Sequence, residues 1–232
     1  MAINKLVGSF ADAVRDIPNG ATIMVAGFGG AGFPLNLVKA LRDHGARDLT
    51  IIANTCGGVR PNTDVGLLFQ ASLVKKAIVS VGVASGFTAP AVEEQYAKGA
   101  LEIEFVPQGT LAERIRAGGA GIGGFYTRTG LGTELAKGKE VKDLSGDDYL
   151  LELPLTADFA LLKAYRSDTS GNLVYRRVAR NYNPIMAAAA SVTIVEAEKV
   201  VPPEALDPEL IGTPGVYVDR IVGPKERNER TT

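Results

Sequence analysis

The sequence predicts an α/β fold, with a mostly parallel central sheet flanked by helices and mixed pairing in the C-terminal half. Three observations predict it. Short apolar runs alternate with helix-like stretches from Ala21 to Gly119. The runs are rich in β-branched residues and bounded by Gly, Pro, Asn or Asp. The composition, 46% hydrophobic and 22% charged over 232 residues, is that of a globular chain able to bury a substantial core.

The elements follow in order. The N-terminal stretch "MAINKLVGSFADAVRDIPNG" reads as an amphipathic helix; it lacks the continuous apolar core of a signal peptide. Ala21–Ala26 is the first strand. Leu35–His44 is a helix with Pro34 in its first turn, and His44, before Gly45, is placed to cap its C-terminus. Asp48–Asn54 is a second strand, Val65–Ser72 a short helix, and Val74–Gly82 a third strand. Pro90–Ala100 carries an early Pro and Glu and a late Lys and Gly, which mark a helix. Leu101–Val106 alternates with period two, as a strand with one wet face does. Gly109–Gly119 is a helix closed by glycines. Beyond it, "DYLLELPL", "DFALLKAY" and "GNLVYRR" follow one another closely, which predicts hairpin-like or mixed pairing. Met186–Val201 reads as helix then strand, and Gly215–Val222 as a last strand. One domain over residues 1–224 and a polar, frayed tail at 225–232 are expected.

Composition narrows the function. A net charge of −1, a pI of about 6.0 and no Trp give neither a nucleic-acid footprint nor a polybasic membrane anchor. No apolar run is long enough to span a membrane, so the cytoplasm is the default location. One His and one Cys argue against a metal site and a Ser-His-Asp triad. Cys56 reads as a small buried hydrophobe, with catalysis the lesser alternative.

Two glycine-rich stretches remain. "VAGFGGAGFP" holds Gly27, Gly29 and Gly32 at G-x-G-x-x-G spacing between a strand and a helix. A dinucleotide site needs an acid at the end of the second strand; that strand ends in Asn54 instead. No Walker motif is present. What stays open is a turn whose backbone admits a thioester, carboxylate or phosphate, or a tight turn with no ligand. The second stretch, Pro107–Thr133, packs glycines from Gly118 to Gly132 too densely for an element interior, which predicts a long functional loop.

This second stretch resembles the hallmark of the family I coenzyme A transferases, in particular their A (alpha) subunits of the 3-oxoacid and 3-oxoadipate type. "NGATIMVAGFGGAGFP" is similar to the family's first signature from Asn19 to Pro34, with Ala26 where the first Gly of a pair is usual. "ADFALLKAYRSDTSGNLVYRRVARNYNPIMAAAA" and "TPGVYVDRIV" extend the resemblance over nearly the whole chain.

The resemblance implies a ping-pong transfer of CoA from an acyl-CoA, succinyl-CoA first among donors, to a 3-oxoacid such as 3-oxoadipate or acetoacetate. The intermediate is a glutamyl-CoA thioester whose Glu lies in a Ser-Glu-Asn-Gly type turn of a B subunit. No Glu here is followed by Asn-Gly, and Glu93, Glu94, Glu102 and Glu104 read as structural. The implied partner is therefore a CoA-transferase B subunit, in a heterodimer or α2β2 assembly. CoA enters as substrate and product, with no permanently bound cofactor and no metal. Asn36 falls where the family has an oxyanion donor, and Ala26, Gly27, Phe28, Gly29, Gly30, Ala31 and Gly32 would line the CoA thiol end. Gln108, just past a strand, is placed to hold a substrate carboxylate or carbonyl, and Arg128 is the cation a dicarboxylate would want. The alternatives are a short-chain fatty acid CoA-transferase, a nucleotide-dependent oxidoreductase built on the Gly27–Gly32 loop, and a non-catalytic effector-binding relative.

Overall fold

The computed structural model describes residues 3–58, 64–82 and 89–224. In chain order these form α1 (Phe10–Val14), β1 (Thr22–Val25), α2 (Leu35–His44), β2 (Leu49–Thr55), α3 (Gly66–Gln70), β3 (Val74–Val81), α4 (Pro90–Ala97), β4 (Glu102–Phe105), α5 (Gln108–Gly119), β5 (Phe125–Thr127), β6 (Val141–Leu144), β7 (Asp147–Glu152), β8 (Ala157–Asp168), β9 (Leu173–Val174), α6 (Asn183–Ala189), β10 (Ala190–Val201) and β11 (Arg220–Val222). The main sheet runs β11-β10-β8-β1-β2-β3-β4 with every neighbouring pair parallel, and β9 joins β8 antiparallel. A separate sheet, β5-β7-β6, is antiparallel.

The strands read as unbroken apolar runs because both faces of the sheet are covered. Successive residues of one strand feed opposite cores. Ile23 and Val25 pack with Leu37, Leu41, Leu68 and Phe69 on the α1–α4 side. Met24 packs with Leu111, Ile115 and Met186 on the α5–α6 side. β4 lies at the edge of the sheet, where Phe105 is exposed and Glu102 and Glu104 pair with Lys76 on β3.

Several expectations need correction. The N-terminal helix is a single short one, capped by Ser9; Leu6 ahead of it bridges to Ile221 instead. His44 does not cap its own helix. Gly45 does so in the left-handed conformation, while the His44 ring donates to Ile17 O at 2.9 Å. The stretch Pro107–Thr133 is not one long loop, since α5 and β5 take up much of it. Gly118 sits in the last turn of α5 because a Cβ there would collide with the Leu155 carbonyl. The segments "DYLLELPL" and "DFALLKAY" do not form a hairpin. β7 and β8 belong to different sheets, and the hairpin partner of β8 is the short β9. Gly215–Tyr217 is a 3-10 turn, which leaves only Arg220–Val222 as strand. The expected polar tail, 225–232, lies outside the described residues.

Candidate functional site

The carboxyl ends of β1 to β4 open on one edge of the sheet, the usual place for a ligand crevice in parallel α/β folds. Two regions of that edge carry the polar groups.

The first follows β1. Phe28 and Ala31 exchange both backbone hydrogen bonds at 3.0 Å, closing a two-residue turn whose corner residues Gly29 and Gly30 have φ +56° and +85°. Positive φ at both corners is the demand of a type I′ turn, which Gly-Gly meets without strain. A Rossmann turn runs straight into its helix; this one folds back on itself, and α2 begins only at Leu35. The amides of Phe28 and Ala31 are thereby occupied, and Ala26 N donates to Leu161 O, so the loop offers fewer free donors than its sequence implies. The amides of Gly29 and Gly30 at the tip have no partner among the described residues. Gly32 is buttressed from the far half of the chain: Asn183 Nδ2 donates to its carbonyl at 3.3 Å, and Asn181 Nδ2 to Ala31 O at 3.1 Å.

Asn36, expected to donate to a thioester oxygen, gives one of its two side-chain N–H groups to a buried carboxylate. Glu196 on β10, 2% exposed, accepts from Asn36 Nδ2 (2.9 Å), Asn36 N (2.8 Å) and Leu37 N (3.2 Å), and pairs with Lys163 Nζ at 3.0 Å. Pro34 offers no side-chain cap, so this buried carboxylate satisfies the orphan amides of α2 from another strand. It occupies the anion position that a helix N-terminus would otherwise present to a ligand.

The second region joins β2, β3 and the start of α5. Asn54 lies buried near the end of the apolar run of β2. Its Oδ1 accepts from Ser80 Oγ and from Gln108 Nε2, each at 2.8 Å. Tyr182 is buried alongside; burial pushes its phenol pKa up, opposed by a hydrogen bond with Ser80. The structure thus unites Gln108 with a residue noticed in the sequence only as a missing acid. The signal for Asn54 and Ser80 was the one that found Gln108: a neutral polar residue at or near the end of an apolar strand.

Arg128 lies on the small sheet's side of the molecule, exposed and paired with Asp147 at 3.3 Å; among the described residues this pairing is with the small sheet and not with the strand ends of the main sheet. Cys56 is fully buried, and burial pushes its thiol up to about 12, so it is not a nucleophile near neutral pH. The crevice has neutral amides and hydroxyls, suited to donating to a developing oxyanion or holding a carbonyl.

Among curated relatives, the A subunit of the 3-oxoadipate CoA-transferase of Pseudomonas putida is 50% identical over 95% of this chain and 94% of its own. The A subunit of the succinyl-CoA:3-ketoacid coenzyme A transferase of Helicobacter pylori J99 is 43% identical over 99% of this chain and 98% of its own. In fold, the chain is similar to an acyl-CoA transferase of Escherichia coli O157:H7 solved as a thioester complex with CoA. That match has a TM-score of 0.82 at 24% identity and covers 96% of this chain and 47% of that one. Residues 7–223 match the coenzyme A transferase family, and the chain belongs to it.

Proposed function

We propose that this chain is the A subunit of a cytoplasmic two-subunit CoA-transferase that moves CoA from succinyl-CoA to a 3-oxoacid such as 3-oxoadipate or acetoacetate. The glutamate that carries the intermediate thioester comes from a B subunit, because no Glu-Asn-Gly turn exists in this chain. The observation that carries the reading is the Asn54–Ser80–Gln108 cluster, a neutral hydrogen-bonding wall at the strand ends with no carboxylate among its three side chains. Phe28 (43% exposed), Val81 (40%) and Phe105 (47%) stand at the ends of β1, β3 and β4, apolar surface that a partner subunit would cover.

In this reading the B-subunit glutamate attacks the thioester carbonyl, and the amide groups of this chain donate to the oxyanion that forms. The turn at Gly29–Gly30 lets the pantetheine end approach main chain without side-chain interference. Asn36 keeps a second N–H beyond the one given to Glu196, and its substitution measures any oxyanion share it carries. A nicotinamide oxidoreductase fits worse: the glycine turn closes on itself, and Asn54 turns its oxygen to Ser80 and Gln108 in place of a ribose.

The test is reconstitution. The isolated chain is expected to show no CoA transfer, and addition of a cognate B subunit to restore it with succinyl-CoA and 3-oxoacids. Robust transfer by this chain alone, or a thermal shift with NAD and none with CoA in the complex, would overturn the proposal.

A further inference from the structure

We propose that Arg176 and the cavity beside it form a subsite for the terminal carboxylate of a succinyl donor; this deepens the function proposed above and rests on it. A cavity of about 270 Å³ lies beside the glycine turn, and Gly30, Gly32, Lys163, Tyr165, Arg176 and Glu198 are among the residues that line it. The two segments that meet there are far apart in the chain and tied together. Asn181 Nδ2 donates to Ala31 O and to Val178 O, at 3.1 and 3.0 Å. Asn183 Nδ2 donates to Gly32 O and to Ala179 O, at 3.3 and 2.9 Å. The 3-10 turn Arg177–Arg180, which Arg176 precedes, is thereby fixed against the glycine turn. Arg177 holds φ +53° in it, a costly conformation for a residue other than glycine and one that binding turns often retain.

Charge selects the ligand. Of the two cations on the cavity wall, Lys163 is committed: it pairs with buried Glu196 at 3.0 Å and lies 4.0 Å from Glu198. Arg176 has no carboxylate partner among the described residues. Its guanidinium stands over the Tyr165 ring, with Cζ 5.4 Å from the centroid. That contact steadies the group and leaves N–H donors for a ligand. One planar, uncompensated cation in a small cavity suits one carboxylate, which the guanidinium fork can grip with two parallel hydrogen bonds. Glu198, on the same wall, opposes a more highly charged group. Position selects the same ligand. With the thiol end of CoA at Gly29–Gly30, the acyl group starts beside the cavity, and the succinyl carboxylate is two methylenes from the thioester carbonyl. The phosphates of CoA lie a whole pantetheine arm away from it.

The experiment compares succinyl-CoA with butyryl-CoA in the assembled two-subunit enzyme; butyryl carries a methyl where succinyl carries its carboxylate. Arg176→Ala is expected to lower the ratio of kcat/KM for succinyl-CoA to that for butyryl-CoA by about tenfold or more, as loss of a charge-assisted hydrogen bond does. Arg176→Lys keeps the charge without the fork and should recover only part of that ratio. A folding defect lowers both donors alike and cancels. An unchanged ratio in Arg176→Ala overturns the inference. Equal losses with both donors would put a phosphate of CoA, or a merely structural contact, at Arg176; no loss with either would leave the cavity unused. A wild-type complex without CoA transfer would refute the functional reading and this inference with it; an active complex whose ratio ignores Arg176 would refute this inference alone.

Discussion

Asn36 and Asn54 are both asparagines near the carboxyl edge of one parallel sheet, and the structure treats them differently. Asn36 lies in the first turn of a helix and gives a side-chain amide hydrogen to a buried carboxylate from β10. Asn54 lies near the end of a strand and receives two hydrogen bonds on its oxygen. A carboxylate can only accept, so Glu196 draws the donor end of Asn36 inward. Ser80 and Gln108 draw the acceptor end of Asn54 inward and leave its donor end outward. The lesson is that an amide's use is decided by what binds its other end, and that is not written in its own residue type.

The comparison breaks most visibly at Glu196. Glu196→Ala leaves Lys163 without its buried partner and α2 without its cap, and is expected to cost about 3–5 kcal/mol in urea unfolding. Asn36→Ala, which removes one of four contacts to that carboxylate, should cost only about 1 kcal/mol. Equal and small losses in both would mean that Glu196 is not what holds the start of α2.

Activity sharpens the contrast. Asn54→Ala in the assembled enzyme should lower kcat by about 10²–10³-fold, as loss of an oxyanion donor does, with little change in folding. Asn36→Ala should lower it far less. If the ranking comes out reversed, the oxyanion donor lies after β1 and not after β2.

The glycine turn gives a smaller effect. Gly29 has open space around it, so Gly29→Ala should cost about 1–2 kcal/mol for its φ of +56° alone. Gly32→Ala should cost more than Gly29→Ala, because its Cβ would also come within 2.7 Å of Ala179 O and part the turn from its buttress. Hydrogen exchange across 176–183 would register that parting. Equal costs would mean the buttress yields freely.

Smallest is Cys56. Its thiol sits far above the unfolded value of 9.0, at about 12, so the fold holds the proton that the unfolded chain releases. That contribution is full below about pH 9 and is lost as pH rises towards 12. Iodoacetamide at pH 8 should leave the native chain unlabelled and label it in denaturant; rapid native labelling would contradict the burial.

Much of the fold was legible. Strands buried on both faces must be apolar at consecutive positions, so "TIMV", "LTIIAN" and "AIVSV" announced themselves and their parallel pairing. The glycines were harder to read. Gly118 and Gly119 were legible as the glycines that close a helix, but the reason for them was not: the Leu155 main chain and Ala188 of α6 pass too close for a side chain. Gln108 was visible as a polar residue at a strand end, but its partners were not.

The sequence by itself determined the alternation of strands and helices, the family signatures at Asn19–Pro34 and Pro107–Thr133, and the lack of a Glu-Asn-Gly nucleophile. These are local properties, set by side-chain periodicity and by residues within a few positions of one another. Only the tertiary structure decided that β8 lies beside β1 and β10 beside β8, which brings Glu196 to Asn36 in the first turn of α2, 160 residues earlier in the chain. It likewise decided that Asn54, Ser80 and Gln108 meet, at sequence separations of 26 and 54. The physical reason is strand order. Three parallel neighbours end at the same edge of a sheet whatever lies between them in the chain, and hydrogen bonds at that edge answer to distance in space.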